Sequence, residues 1–156
     1  LKAVATKDGK AVAQEELQTA GAPKALKLTV HAGPRGLQAD GSDVALVDFE
    51  VVDAEGRRCP TDEARVNFAV DGPVVWRGGF NAGKLDSTNN LYLDTECGIN
   101  RVALRSTLTP GTITLTATRD GLTPATVRIS SQPVEITGGL EGPPPPTLPS
   151  PRVAAR

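Results

Sequence analysis

Apolar residues fall at every second position in at least five segments of this chain: Leu26/Leu28/Val30, Val47/Phe49/Val51, Val66/Phe68/Val70, Ile113/Leu115/Ala117 and Val127/Ile129. Polar residues fill the gaps, among them Lys27 and Thr29, Asp48 and Glu50, Asn67, and the run Thr112, Thr114, Thr116 and Thr118. A period of two puts one face of each segment in a core and the other in water, which is how antiparallel strands read. Turn residues bound the segments: Asp40-Gly41, Glu55-Gly56, Asp71-Gly72-Pro73, Gly78-Gly79, Pro110-Gly111 and Asp120-Gly121. The pattern predicts strands at Ala25–His31, Val44–Ala54, Arg65–Val70, Val74–Arg77, Arg101–Ser106, Thr112–Thr118 and Thr126–Ser131. Seven strands of this spacing predict an all-β fold, an immunoglobulin-like antiparallel β-sandwich. Val47, Phe49, Val51, Phe68, Leu104 and Leu115 lie on the apolar phase and should fill its core. Asp48 and Glu50, on the opposite phase, read as a solvated surface.

Two segments flank the sandwich. Leu1–Lys7 and Ala11–Thr19 alternate around Asp8-Gly9, a pair suited to the type I′ turn of a β-hairpin. A lone hairpin is marginal in water, so this one should pack on the sandwich or on a domain upstream. Residues 1–23 are therefore expected to be a hairpin and linker ending a preceding β-domain, and residues 24–137 the sandwich. Residues 138–156 hold Pro143-Pro144-Pro145-Pro146 and two later prolines, and should form an extended linker or terminal tail rather than helix or sheet.

Composition narrows the function. The chain neither begins with Met nor contains one, as expected of a piece of a longer polypeptide. Its 17 basic and 18 acidic residues are well mixed, which argues against a nucleic-acid partner. No apolar run approaches 18 residues, so membrane insertion is not expected. Aromatic residues are few, and the core must be mostly aliphatic.

The order of short motifs resembles the C-terminal region of family 2 glycoside hydrolases of the bacterial β-galactosidase type. The resemblance runs from about Lys2 to Ile136. It is carried by Lys7-Asp8-Gly9-Lys10, Thr19-Ala20-Gly21-Ala22-Pro23, Leu37 to Asp43, Val51-Val52-Asp53-Ala54-Glu55-Gly56-Arg57, and Val66 to Pro73. Where many relatives have a short Gly-Asn-Gly-Asp loop, this chain has Gly78-Gly79-Phe80-Asn81-Ala82-Gly83. The resemblance implies an accessory immunoglobulin-like domain of a secreted or periplasmic enzyme. Its partners would be other domains of the same polypeptide. The paired carboxylates of a retaining glycosidase would sit on a (β/α)₈ barrel elsewhere, since no βα repeat exists here. No catalytic residue and no cofactor is assigned to this chain.

The candidate contact region is the polar segment Phe80 to Ile99, long for a compact domain. Trp76, Phe80 and Tyr92 could stack on sugar rings while Asn81, Asn89 and Asn90 bind hydroxyls, as in a carbohydrate-binding module. The other reading is that Trp76 caps the core and the loop docks on a neighbouring domain. An adhesin-type surface domain is a third possibility, weakened by the absence of internal repeats. Cys59 and Cys97 lie 38 positions apart. A disulfide between them would stabilise the fold by about 4 kcal/mol; the alternative is two unpaired thiols. With one histidine, remote from both, a zinc site is not expected. The spacings of Asp40 with Asp43 and of Asp86 with Asn89 are not those of a calcium loop.

Overall fold

The computed structural model describes residues 1–84 and 86–135. The expected tail, 138–156, lies outside them. Eleven strands are formed among the described residues: β1 (Lys2–Lys7), β2 (Lys10–Glu16), β3 (Ala25–His31), β4 (Leu37–Gln38), β5 (Val44–Val52), β6 (Arg65–Asp71), β7 (Val74–Gly78), β8 (Tyr92–Asp94), β9 (Ile99–Ser106), β10 (Gly111–Thr118) and β11 (Ala125–Gln132). β1 and β2 form a separate ribbon; the rest make a four-stranded sheet, β3-β5-β9-β7, and a five-stranded sheet, β4-β11-β10-β6-β8. The first order, with β6-β10-β11 opposite, matches the immunoglobulin arrangement of two antiparallel sheets.

The seven predicted sandwich strands are present, β3 with the same ends and the others with ends shifted by one or two residues. The structure adds β4 and β8 to the seven. β4 runs parallel to its partner, pairing with β11 through Ser131↔Leu37 and Gln132↔Gln38. The chain reaches it by leaving the first sheet after His31 and turning through Gly33–Gly36, where the Gly36 amide donates to the Gly33 carbonyl at 2.9 Å. At Asp8 and Gly9, φ is 52° and 75°. Positive φ at both central residues is what the two-residue hairpin turn demands.

The core lies between the sheets. Leu26, Val47, Phe49, Val51, Trp76, Val102 and Leu104 come from one sheet; Leu37, Val66, Phe68, Leu93, Ile113, Leu115, Ala117 and Ile129 come from the other. All six residues expected inside are buried. Phe49 and Phe68 meet edge to face across the layers with centroids 5.0 Å apart, and Phe68 also lies 5.5 Å from Trp76. Burying each large aliphatic or aromatic side chain stabilises the fold by about 1.5–3 kcal/mol.

The outer face of the first sheet is not simply solvated. Glu50 pairs with Lys27 directly across from it at 2.9 Å. Asp48 is half-buried and bridges three strands, accepting from Arg101 Nη2 on β9 at 3.0 Å and facing His31 Nε2 on β3 at 3.0 Å. The Arg101 hydrogen bond, supported by His31, outweighs burial and holds the Asp48 carboxyl below the usual range. Asp48 thus keeps the outward phase expected of it, but it is engaged there by Arg101 and His31 rather than left free in water.

Candidate functional site

The polar segment after β7 is a built structure. Trp76 enters the core on the inward phase of β7, and its Nε1 donates to the Asn90 carbonyl oxygen at 2.9 Å. At Gly79 a Cβ would lie 2.3 Å from the Arg101 carbonyl oxygen, so no other residue fits there without moving β9. The backbone then delivers Asn81 into the interior. Its Nδ2 donates to the Asp94 carbonyl and to Glu96 Oε1, and its Oδ1 accepts from the Asp94 amide. The Asn81 amide itself donates to Ser87 Oγ at 2.9 Å. Glu96 Oε1 also accepts from the Ala82 amide at 2.8 Å. The Asn81 and Ala82 hydrogen bonds, in that order, lower the Glu96 pKa against a small opposing effect of burial. β8 pairs with β6 inside the segment, through Arg65↔Asp94, Val66↔Leu93 and Asn67↔Tyr92.

This scaffold separates the candidate contact residues. Trp76 is 4% exposed and belongs to the core, so it offers no ring face to a sugar; the capping alternative describes it. Asn81 and Asn90 are buried, and Asn90 Nδ2 donates to the Asp86 carbonyl at 2.8 Å. They build the loop rather than line a surface. Asn89 holds a left-handed backbone with φ 62°. Tyr92 sits on β8, half-buried, with the Arg65 guanidinium 3.8 Å above its ring. Arg65 and Lys84 both pair with Asp94, whose carboxylate ties β6, β8 and the loop together.

Phe80 alone of the aromatic trio is presented to solvent, at 57% exposure. Asn100 Nδ2 donates to its carbonyl at 3.3 Å. Beside it runs an open groove of about 410 Å³ on the outer face of the first sheet, lined by Leu46, Gly78, Gly79, Arg77, Arg101 and Ala103 among others. The groove is largely apolar at its floor. Arg101 is held by Asp48, and Arg77 is exposed at the rim. An exposed aromatic beside a shallow apolar groove can receive an apolar surface. Among the described residues, the groove's lining includes neither carboxylate nor histidine.

Of the two alternatives for the cysteines, the structure has the unpaired one: both are free. Their backbones are neighbours: a Cβ on Gly98 would lie 2.1 Å from the Cys59 carbonyl oxygen. The thiols diverge. Cys59 is buried with Sγ 3.7 Å from the Gly21 carbonyl, while Cys97, at φ 54°, faces solvent.

Two carboxylate clusters escaped the sequence reading. Asp53 is almost wholly buried, and it accepts from the amides of Gly21 (2.7 Å), Glu55 (3.0 Å) and Arg57 (2.8 Å) and from Arg57 Nε (2.7 Å). Burial alone would raise its pKa, but those hydrogen bonds hold it well below the usual carboxylate range. Arg57 reaches on to Gln18 Oε1 at 2.7 Å. Asp62 accepts from Arg119 Nη1 at 2.7 Å and Thr95 Oγ1 at 2.6 Å, joining three connections at one end of the sandwich. The only local signal was Asp53 followed by Gly56-Arg57, a turn whose long-range partner, Gly21, is invisible in sequence. Asp40 closes its own turn, accepting from the amides of Ser42 and Asp43. Among the described residues, no group of three or more His, Cys, Asp and Glu side chains could hold a metal ion, and no helix is long and apolar enough to cross a membrane.

The architecture is thus that of an immunoglobulin-like sandwich module whose presented feature is an exposed phenylalanine beside a groove. Residues 26–128 match the family described as glycoside hydrolase family 2 C-terminal domain 5, and the chain belongs to that family. It is 56% identical over 123 residues to a beta-glucuronidase of Formosa agariphila, covering 79% of this chain and 12% of that protein. It is 35% identical over 140 residues to beta-galactosidase BoGH2A of Bacteroides ovatus, covering 85% of this chain and 16% of that protein. A solved beta-glucuronidase of glycoside hydrolase family 2 superposes with a TM-score of 0.79 at 48% identity, over 99% of this chain and 16% of its own. The chain therefore spans between 12% and 16% of the length of the curated relatives it matches.

Proposed function

We propose that this chain is a non-catalytic accessory domain of a bacterial β-glycoside hydrolase, one acting on β-glucuronides or β-galactosides as its relatives' names state. In this reading the domain docks on another domain of the same polypeptide through Phe80 and its groove. The observation that carries it is Phe80: 57% exposed, yet set on a loop whose neighbours are locked by buried hydrogen bonds. A large aromatic exposed to water beside an apolar groove is a feature expected of an interface. The enzyme would act in the periplasm or outside the cell, as the family resemblance implies, and fractionation of cells expressing the full gene tests that.

The decisive experiment compares the 156-residue chain with the full-length polypeptide. Nitrophenyl β-glucuronide and β-galactoside should be hydrolysed by the full-length protein and left intact by the chain alone. Phe80→Asp in the full-length protein should loosen domain packing, read as a separate unfolding transition of this domain. Hydrolysis by the chain alone, above an inactivated control, overturns the non-catalytic reading. Retardation of the chain on a polysaccharide gel, lost in Phe80→Ala, would instead make the groove a sugar site.

A further inference from the structure

Charge is unevenly matched over the outer face of the first sheet. In one half Lys27 faces Glu50, and Asp48 sits between Arg101 and His31. In the other half the outward positions belong to Val44 and Leu46 on β5, Ala103 and Arg105 on β9, and Val75 and Arg77 on β7; the residues alternating with them fill the core. No carboxylate is among these six. Asp43, just before Val44, has its own carboxylate on the amides of Gln38 and Val44, at 2.7 and 2.9 Å.

The two arginines of that half are uncompensated. Arg77 is exposed at the rim of the groove beside Phe80. Arg105 stands in register between Val44 and Val75 on the neighbouring strands, and its Nε is buried with no acceptor. Among the described residues neither guanidinium has a hydrogen-bond or ion-pair partner. Leaving a buried N–H of a charged group without an acceptor is costly, and in a folded protein such a group calls for an explanation. Arg77 follows Val75 by two positions, so both cations share one face with an aliphatic floor between them.

We infer that this half of the face receives a carboxylate-bearing segment of another domain of the same polypeptide: its Asp or Glu side chains accept from Arg77 and Arg105, while an apolar side chain beside them settles against Leu46, Ala103 and Phe80. This rests on reading Phe80 and its groove as a docking surface, and it names the chemistry of what docks there. Charge complementarity selects the occupant. Two guanidiniums without a local counter-charge present forks that fit carboxylates, and opposite charge across an interface fixes partner and register. The aliphatic floor of Leu46, Val75 and Ala103 has no side-chain group to bond sugar hydroxyls, which favours a polypeptide over an anionic glycan. The chain spans 12% and 16% of the two curated relatives, so in a protein of their length most of the surface that could dock lies outside it. A segment tethered in the same chain also meets the face at high effective concentration.

Carbodiimide cross-linking of the full-length polypeptide carrying Arg77→Lys tests this. The reagent activates a carboxylate, and the amine introduced at residue 77 attacks it to form an amide that mass spectrometry locates. Residue 77 should be joined to an Asp or Glu outside this domain, and Arg105→Glu added to that variant should lower the yield about tenfold, the factor that a coupling of about 1.4 kcal/mol gives. No cross-link beyond this domain, or a yield indifferent to Arg105→Glu, overturns the inference. Arg77→Glu with Arg105→Glu in the full-length protein should also make this domain unfold as a separate transition. The same pair should leave the urea midpoint of the 156-residue chain in place; where Arg105→Glu disturbs that fold, Arg77→Glu alone serves for the unfolding measurement and Arg105→Gln replaces it in the cross-linking. Separation by Phe80→Asp but not by the arginine variants refutes this inference and leaves the docking reading standing. Domains that still unfold together in Phe80→Asp refute the docking reading itself. Retention of the 156-residue chain on an alginate gel but not on a neutral one, lost in Arg77→Glu, makes an anionic glycan the occupant and also overturns the inference.

Discussion

Trp76 and Asn90, fourteen positions apart, are joined by a buried hydrogen bond of 2.9 Å from the indole nitrogen to the backbone carbonyl. The bond ties the sandwich core to the loop that presents Phe80. Trp76→Ala should cost about 3–5 kcal/mol from the lost packing against Phe68. Trp76→Phe should cost about 1–3 kcal/mol, since it leaves a carbonyl unsatisfied. Urea unfolding checks both, and a loss below about 0.5 kcal/mol for Trp76→Ala would contradict its place in the core.

The thiols should differ in reactivity. Burial, with the Asp53 and Asp62 carboxylates adding to it, pushes the Cys59 thiol up. Cys97 is exposed. A maleimide should label Cys97 promptly in the native protein and Cys59 only as the fold opens. Unfolded, unreduced protein should show both thiols free, even from an oxidising compartment; no free thiol there would restore the bridge.

Much of this was legible in sequence, and the failures have physical causes. β3 was read to the residue, because Leu26, Leu28 and Val30 alternate against polar neighbours over a full strand. β4 and β8 were missed because two or three residues cannot display a period. The hairpin turn was legible because Asp-Gly satisfies a backbone requirement that few pairs satisfy. Asn81 and Asn90 were misread as surface groups. An asparagine's burial is decided by which carbonyls the fold brings to it, and Asp94 lies thirteen residues from Asn81. The anchoring of residue 21 by residue 53 is a contact of the same long-range kind.

Acid should unfold this domain through its buried carboxylates. The Asp53 and Asp62 pKa values are both lowered, because hydrogen bonds outweigh the opposing effect of burial. The unfolded chain therefore binds protons that the folded one refuses. Their contribution is complete above the unfolded value, roughly pH 4, and is lost as pH falls through the folded values. The urea midpoint should fall steeply below about pH 4. Asp62→Asn and Asp53→Asn should start lower at neutral pH and decline less on acidification; a slope equal to that of the unsubstituted chain would contradict the assignment.

The cross-strand pair Asp48–Arg101 should count measurably. Opposite charges facing one another on a sheet contribute about 0.2–1 kcal/mol, and this pair has two contacts. Asp48→Ala should lose up to about 1 kcal/mol and Arg101→Ala a similar amount, with the double variant losing less than their sum. Additive losses would show that the two residues act independently.

The parallel pairing of β4 with β11 gives the domain a mechanical character. β4 lies near the start of the sandwich and β11 near its end, side by side and pointing the same way. Tension along the polypeptide would drag β4 toward its own N-terminal side and β11 toward its C-terminal side. The hydrogen bonds between them would then be sheared together rather than peeled apart one after another. Strain transmitted through neighbouring domains would thus be shared between this short seam and the longer antiparallel pairing of β3 with β5.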